Sequence, residues 1–206
     1  MPGGVPLVGR QVRLDPATSD DANALFAALD HNEVWAAGYS GGPSARPTDA
    51  GGWRRRIAQA GDEQRAMYVV RDTAGTVIGT TSLGDTMLEH ERTHLGWTAY
   101  TPSSWGTAVN PECKLLLLAH AFDDCGFGRV KIQTDAINHR SQAAIAKLGA
   151  IREGLLRRHM VRPDGTTRDT VVFGITIDDW PAVKARLLAR LGAASGDHCV
   201  RRPATS

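Results

Sequence analysis

A short loop of small residues runs directly into a well-marked helix within residues 102–122, PSSWGTAVNPECKLLLLAHAF. Asn110 is a favoured residue before a helix, and Pro111 suits the first helical position because its missing N–H would have no partner there. Residues 105–110 therefore place consecutive backbone N–H groups at the positive end of a helix. Gly106 has no side chain that would keep a ligand from approaching them. This spacing predicts an anion site suited to the phosphate of a nucleotide-like ligand. A plain strand-to-helix turn is the alternative.

Alternating strands and helices must position this loop. Residues 31–47 lack any period and predict an irregular connection. Strands are predicted at residues 11–14, 67–71, 76–83, 93–100, 129–134, 155–161 and 169–176. Helices are predicted at residues 22–30, 48–60, 110–125, 138–149 and 178–191.

The connections between these elements decide the fold class. The DTAG and PDG turns join neighbouring strands as hairpins, whereas the strand–helix–strand succession over residues 93–134 implies a parallel crossover. We therefore expect an α/β (α+β) fold with a mixed, mostly antiparallel sheet flanked by helices. It should form one domain over residues 1–192, followed by a disordered tail at 193–206.

Composition excludes several classes of function. The 206 residues are 42% hydrophobic, and 24 Lys and Arg against 22 Asp and Glu leave a net charge of +2. This balance gives no electrostatic footprint for DNA binding. Three cysteines without paired or metal-type spacing, no leader-like N-terminus and no membrane-spanning stretch predict a cytoplasmic protein without a membrane partner.

Three blocks of sequence, taken in order, resemble the GNAT superfamily of acyl-CoA-dependent N-acyltransferases. The blocks are LGWTAYTPSSWGTAVNPE, TDAINHRSQAAIAKLGA and EGLLRRHMVRPDGTTRDTVVFGI. The resemblance covers about residues 11–191 and points to the branch that includes the ribosomal-protein-alanine N-acetyltransferases. It implies a sheet splayed between strands four and five, acetyl-CoA as co-substrate and no metal.

The first two blocks imply which residues hold CoA. The pyrophosphate loop of the family falls on Trp105, Gly106, Thr107, Ala108, Val109 and Asn110. Trp105 stands where the family usually has Arg or Gln, and Ala108 and Asn110 replace its small signature residues. In the second block, Asn138 and Ser141 match the positions that meet the pantetheine arm.

Acetyl transfer to an amine imposes three chemical demands. The thioester oxygen needs a donor, which the resemblance supplies from the backbone near Tyr100. The departing thiolate needs a second donor, and Ser141 is the best remaining residue because the usual tyrosine is missing; a purely capping role for this serine is an equal alternative. His94, with a reference pKa of about 6.5, could take the amine proton, and Glu89 and Glu91 are its rivals.

The acceptor is the least defined part of the prediction. Trp35 and Tyr39 lie in the irregular segment that shapes the acceptor cleft in related enzymes, and His159 lies on the closing hairpin at its mouth. The acceptor could be a protein N-terminus, a lysine side chain or a small amine, and the resemblance favours a protein or peptide. The chain leaves room for a homodimer. A CoA-binding regulatory module without turnover is the alternative function, motivated by Trp105 and Ala108.

Overall fold

The computed structural model describes residues 3–192, so the predicted disordered tail at 193–206 lies outside the described residues. One sheet of eight strands runs through this part of the chain in the order β1-β2-β3-β4-β5-β6-β8-β7. The strands are β1 Leu7–Val8, β2 Arg13–Pro16, β3 Ala66–Arg71, β4 Val77–Met87, β5 Arg92–Tyr100, β6 Arg129–Asp135, β7 Ile151–Val161 and β8 Thr167–Thr176. All neighbours pair antiparallel except β5 and β6, which confirms the mixed sheet.

Helices cover both faces of the sheet. They are α1 Ala22–Leu29, α2 Asn32–Ala36, α3 Ala50–Asp62, α4 Val109–Ala119, α5 His139–Ala146 and α6 Trp180–Arg190. Strand β3 shows the two layers directly, because Tyr68 and Val70 pack with α4 and α6, while Met67 and Val69 pack with α1 and α3. None of the helices between residues 3 and 192 has the length and apolar character needed to cross a bilayer.

The sheet opens between β5 and β6, the fourth and fifth of the strands predicted from sequence. Their parallel pairing is limited to three positions, from Arg92 opposite Arg129 to His94 opposite Lys131. Beyond His94, β5 carries a bulge in which Trp97 has a φ of 49°, and the pairing with β4 shifts at the same point. A bulge bends a strand and increases its twist. The C-terminal halves of β5 and β6 therefore diverge and leave a cleft between them.

Three parts of the sequence-based assignment need correction. The first strand is preceded by the two-residue β1, which is too short to carry a periodic signal. Residues 31–47 are not a plain loop, since they contain α2 and two 3₁₀ turns. Helix α4 begins at Val109 with Ala108 as its N-cap, so Asn110 lies inside the first turn, and one π-helical turn, His120–Asp124, follows α4 before Gly126 at a φ of 69°.

Candidate active site

The cleft between β5 and β6 is a cavity of about 500 Å³. The bulged part of β5, strand β6, helix α5 and the segment after α2 line it. Strand β5 no longer pairs with β6 there, so N–H groups of β5 that face β6 beyond His94 lack a strand partner. The structure thus brings the strand end at Tyr100 to the cavity, where burial raises the pKa of the tyrosine hydroxyl well above its ordinary value.

The predicted phosphate loop lies at one end of this cavity. Trp105, Gly106 and Asn110 line the wall, and Thr107, Ala108 and Val109, which are not among the lining residues, complete the same turn. The Thr107 hydroxyl donates to the carbonyl of Ser104 (2.7 Å) and accepts the Val109 N–H (3.3 Å), which fixes the turn. Gly106 has a φ of 76°, a backbone conformation that favours glycine.

The N–H groups of this turn remain available for a ligand. Within residues 3–192, the backbone N–H groups of Gly106, Thr107, Ala108 and Asn110 have no acceptor. Glu112, one turn along, does not occupy them, because its carboxylate faces away and accepts N–H bonds from Arg10, Gln11 and Val12. The helix start is therefore a cradle of unpaired donors, which suits an anion.

A cation stands beside the cradle although the loop itself has none. The guanidinium of Arg140, on α5, lies 4.0 Å from the centre of the Trp105 ring. The indole N–H of Trp105 donates to the carbonyl of Tyr100 at 3.0 Å and so fixes the ring. Arg140 thus places positive charge next to the position where Trp105 replaces the usual basic residue, a compensation that sequence reasoning missed.

Asn138 and Ser141 both line the cavity at the start of α5. The side-chain oxygen of Asn138 accepts the Ser141 N–H at 2.9 Å, and its amide group donates to the carbonyl of Ala37 at 2.7 Å. Asn138 is therefore the helix cap and also the tie between α5 and the end of α2. The Ser141 hydroxyl has no partner within residues 3–192 and is free to meet a ligand.

His94 lines the cavity where β5 and β6 begin to diverge. It is only 5% exposed, and its Nε2 atom has no hydrogen-bond partner within the described part of the chain. Burial lowers the pKa of His94 to about 3, and Lys131, Lys114 and Arg168 act in the same direction. The imidazole is thus neutral at physiological pH, far from the reference value of about 6.5 on which its assignment as the base relied.

Two of the three predicted acceptor residues lie elsewhere. Trp35 is not a cleft residue, since it is buried against Trp53 and donates its indole N–H to the carbonyl of Leu29 at 2.8 Å. Tyr39 does line the cavity, where its ring stacks on Trp53 at 6.5 Å. His159 is exposed on β7 and does not line the cavity.

The rival bases are also absent from the cavity wall. Glu91 is exposed in the turn before β5, at the end where that strand still pairs with β6, and its carbonyl accepts the N–H groups of Gly128 and Arg129. Glu89 is exposed in the preceding 3₁₀ turn. Neither carboxylate is placed to take a proton from a ligand in the cleft.

The structure adds charged residues that the sequence did not single out for the site. Lys114 is 7% exposed, and its Nζ atom donates to Thr98 Oγ1 at 2.9 Å on the cavity wall. Burial lowers the pKa of Lys114 to about 8. Asp135 accepts two hydrogen bonds from Arg162, at 2.8 and 3.0 Å, and Arg168 on β8 lines the same cavity.

Within residues 3–192, no cluster of three or more His, Cys, Asp or Glu could hold a metal ion.

Comparison with known proteins places this geometry in a family. A family model described as an acetyltransferase (GNAT) domain matches residues 11–151. The chain is 26% identical to the uncharacterised N-acetyltransferase YoaA of Bacillus subtilis (strain 168), over 77% of this chain and 89% of YoaA. A crystal structure of a candidate acetyltransferase from T. thermophilus is 35% identical, with 91% and 97% coverage and a TM-score of 0.80. RimJ of Mycobacterium smegmatis in complex with CoA-disulfide shares the fold, at 24% identity, 91% and 93% coverage and a TM-score of 0.72.

Proposed function

The chain belongs to the GNAT acetyltransferase family and is an N-acetyltransferase, and we propose that it moves the acetyl group of acetyl-CoA to a primary amine by direct attack of the amine on the thioester. The acceptor is a protein N-terminus, a lysine side chain or a small amine. One observation carries the proposal: a cradle of unpaired N–H groups opens into the cleft where β5 and β6 separate.

The residues around the cradle fit the charged part of CoA. The free N–H groups of residues 106–108 and 110 would hold the pyrophosphate, and Arg140 adds a full positive charge beside them. The open wall between α5 and β6 leaves a path for the pantetheine arm past Asn138 and Ser141. When bound, acetyl-CoA supplies the activated acetyl group as a thioester.

The opened part of β5 would stabilise charge on the thioester oxygen. Its N–H groups that face β6 lack a strand partner, and fixed donors aimed at a developing charge contribute strongly to acyl transfer. Ser141 would donate its free hydroxyl to the departing sulfur, whose reference pKa as a thiol is about 8.5. This donor replaces the tyrosine that α5 lacks.

Among the described residues that line this cleft, neither the carboxylate nor the imidazole is a strong base for the amine proton, since the hydrogen bond from Arg162 lowers the pKa of Asp135. His94 binds a proton too weakly, since its pKa is about 3. The same burial and positive charges that lower the pKa of His94 would act on an entering ammonium and favour its neutral form. We therefore assign His94 to hold the amine through a hydrogen bond to Nε2, while the proton leaves to solvent.

The test combines binding and turnover in one preparation. Calorimetric titration with acetyl-CoA should show saturable binding, and addition of an amine panel should then release free thiol. Ala108→Val, which crowds the cradle, should weaken acetyl-CoA binding about tenfold or more. Ala146→Val on the exposed face of α5 is the matched control and should bind normally. Equal affinity in both variants would contradict the loop assignment, and binding without thiol release would favour a regulatory module.

A further inference from the structure

Positively charged side chains are concentrated on the wall of the cavity. Four cations line it, Lys114, Arg140, Arg162 and Arg168, against the single carboxylate of Asp135. The whole chain has a net charge of only +2. The positive charge is therefore concentrated at the cleft, where a ligand would meet it.

Two of these cations already have a function in the structure. Arg162 is held by Asp135 through two hydrogen bonds, which also uses that carboxylate. Arg140 stacks on Trp105 beside the phosphate cradle and is assigned to the charged part of CoA. Within residues 3–192, Lys114 and Arg168 form no ion pair, although Asp135, already held by Arg162, also attracts Arg168 electrostatically.

Arg168 is the less satisfied of the two. Its Nε atom is buried without a hydrogen-bond partner, and within residues 3–192 its guanidinium forms no ion pair. Burial lowers the pKa of Arg168. Lys114 donates only to the neutral hydroxyl of Thr98. The carboxylate that acts on Arg168, Asp135, is hydrogen-bonded to Arg162 instead, so an anionic group in the cleft would gain from both Arg168 and Lys114.

Both cations lie close to the position assigned to the reacting amine. His94, Lys114 and Arg168 all line the same cavity, and both cations act electrostatically on the imidazole. An acceptor whose amine meets His94 would therefore present its neighbouring groups to Arg168. A planar guanidinium fits a carboxylate through two parallel hydrogen bonds, which gives orientation as well as affinity.

We propose that the acceptor is a primary amine that also carries a carboxylate, and that Arg168 binds this carboxylate while Lys114 reinforces the positive potential. The inference rests on the proposed N-acetyltransferase function and narrows its substrate class. It predicts that amines with several positive charges, such as diamines, are poor acceptors because the same field repels them.

A matched panel of amines tests the proposal. Each ω-amino acid with two to six methylene groups is compared with its primary amide and with the diamine of equal length, by thiol release at saturating acetyl-CoA. For at least one chain length the carboxylate should exceed the amide in kcat/KM by about tenfold or more, with the diamine lowest. Equal rates for the three, or a preference for amides or diamines, would overturn the inference and leave the acetyltransferase function intact.

Variants locate the effect on one side chain. Arg168→Gln should lower kcat/KM for the carboxylate about tenfold or more, mainly through KM, with rates for the amide unchanged. Arg168→Lys should restore part of the loss, and Arg157→Gln, an exposed cation on the same hairpin, should behave like the parent. If Arg168→Gln lowers the rates of carboxylate and amide equally, the residue has only a structural role.

A binding measurement separates this inference from failure of the proposed function. If no amine releases thiol, the ω-amino acids are titrated into the CoA-loaded protein by calorimetry. Binding that Arg168→Gln weakens would support the carboxylate site although turnover failed. Absent binding, or equal binding by parent and variant, would contradict it.

Discussion

Glu112 links the start of α4 to the N-terminal strands. Its replacement by glutamine tests whether this carboxylate stabilises the fold without contacting the phosphate cradle. Glu112 is only 1% exposed. Oε1 accepts the Arg10 N–H at 2.8 Å, and Oε2 accepts those of Gln11 and Val12 at 2.8 and 3.0 Å. The chain approaches closely because residue 9 is glycine, where a Cβ atom would lie 2.7 Å from Glu112 Cδ.

The structure sets the size of the expected effect. Glutamine offers one oxygen in place of two, so Glu112→Gln removes one or two of the three bonds and turns an NH₂ group toward a backbone N–H. Hydrogen bonds to charged groups contribute about 1.5–3 kcal/mol each, so the free energy of unfolding should fall by about 3 kcal/mol. For a chain of this length that corresponds to a fall in Tm of about 6–12 °C.

Thermal unfolding with and without acetyl-CoA is the assay. Glu112→Gln should lower Tm in both conditions and keep the increase caused by acetyl-CoA, because the carboxylate does not face the cradle. Glu89→Gln, at an exposed carboxylate, is the control and should leave Tm unchanged. A fall below about 2 °C would refute the account of the three bonds. Loss of the ligand effect would show that Glu112 acts on the cradle itself.

Two further predictions concern the reacting groups. Ser141→Ala should lower kcat on the order of 10²-fold with little change in acetyl-CoA affinity, measured by thiol release and calorimetry, and an unchanged kcat would leave the serine as a cap only. The pKa of His94 rises from about 3 when folded to its reference value of about 6.5 when unfolded, so the unfolded chain binds the extra proton between these values. Stability should therefore fall by at most about 1.4 kcal/mol per pH unit as the pH drops below 6.5, and His94→Gln should lose this dependence in urea unfolding at pH 4.5 to 7.5. Parallel pH curves for parent and variant would contradict the buried neutral imidazole.

Local sequence signals were sufficient for most of the fold. The DTAG turn, the Asn138 cap and the glycine after α4 each act through the backbone of a few neighbouring residues, and the structure confirms the elements that they bound. The two-residue β1 and the short α2 are formed by packing against distant parts of the chain, which leaves no periodic pattern to detect.

The predicted residues that line the cavity include the phosphate loop and the start of α5, and each of these lies within one short segment. The cradle belongs to a single loop, so its N–H groups could be recognised from their order in the chain. Trp35 was predicted to line the acceptor cleft and is instead buried against Trp53, a tertiary property that the local sequence does not show. Lys114 was overlooked within an apolar helix, and Arg168 could be assigned to the site only when β8 brings it to the cavity that His94 also lines. The bulge at Trp97 had one local signal, Gly96 inside the strand pattern, which the strand assignment did not use.

The most direct test of the central claim is calorimetric titration of the protein with acetyl-CoA, followed in the same sample by thiol release upon addition of the amine panel. The account predicts saturable binding that Ala108→Val weakens, and thiol release that depends on the amine. Absence of acetyl-CoA binding by the intact protein would contradict the account at its foundation.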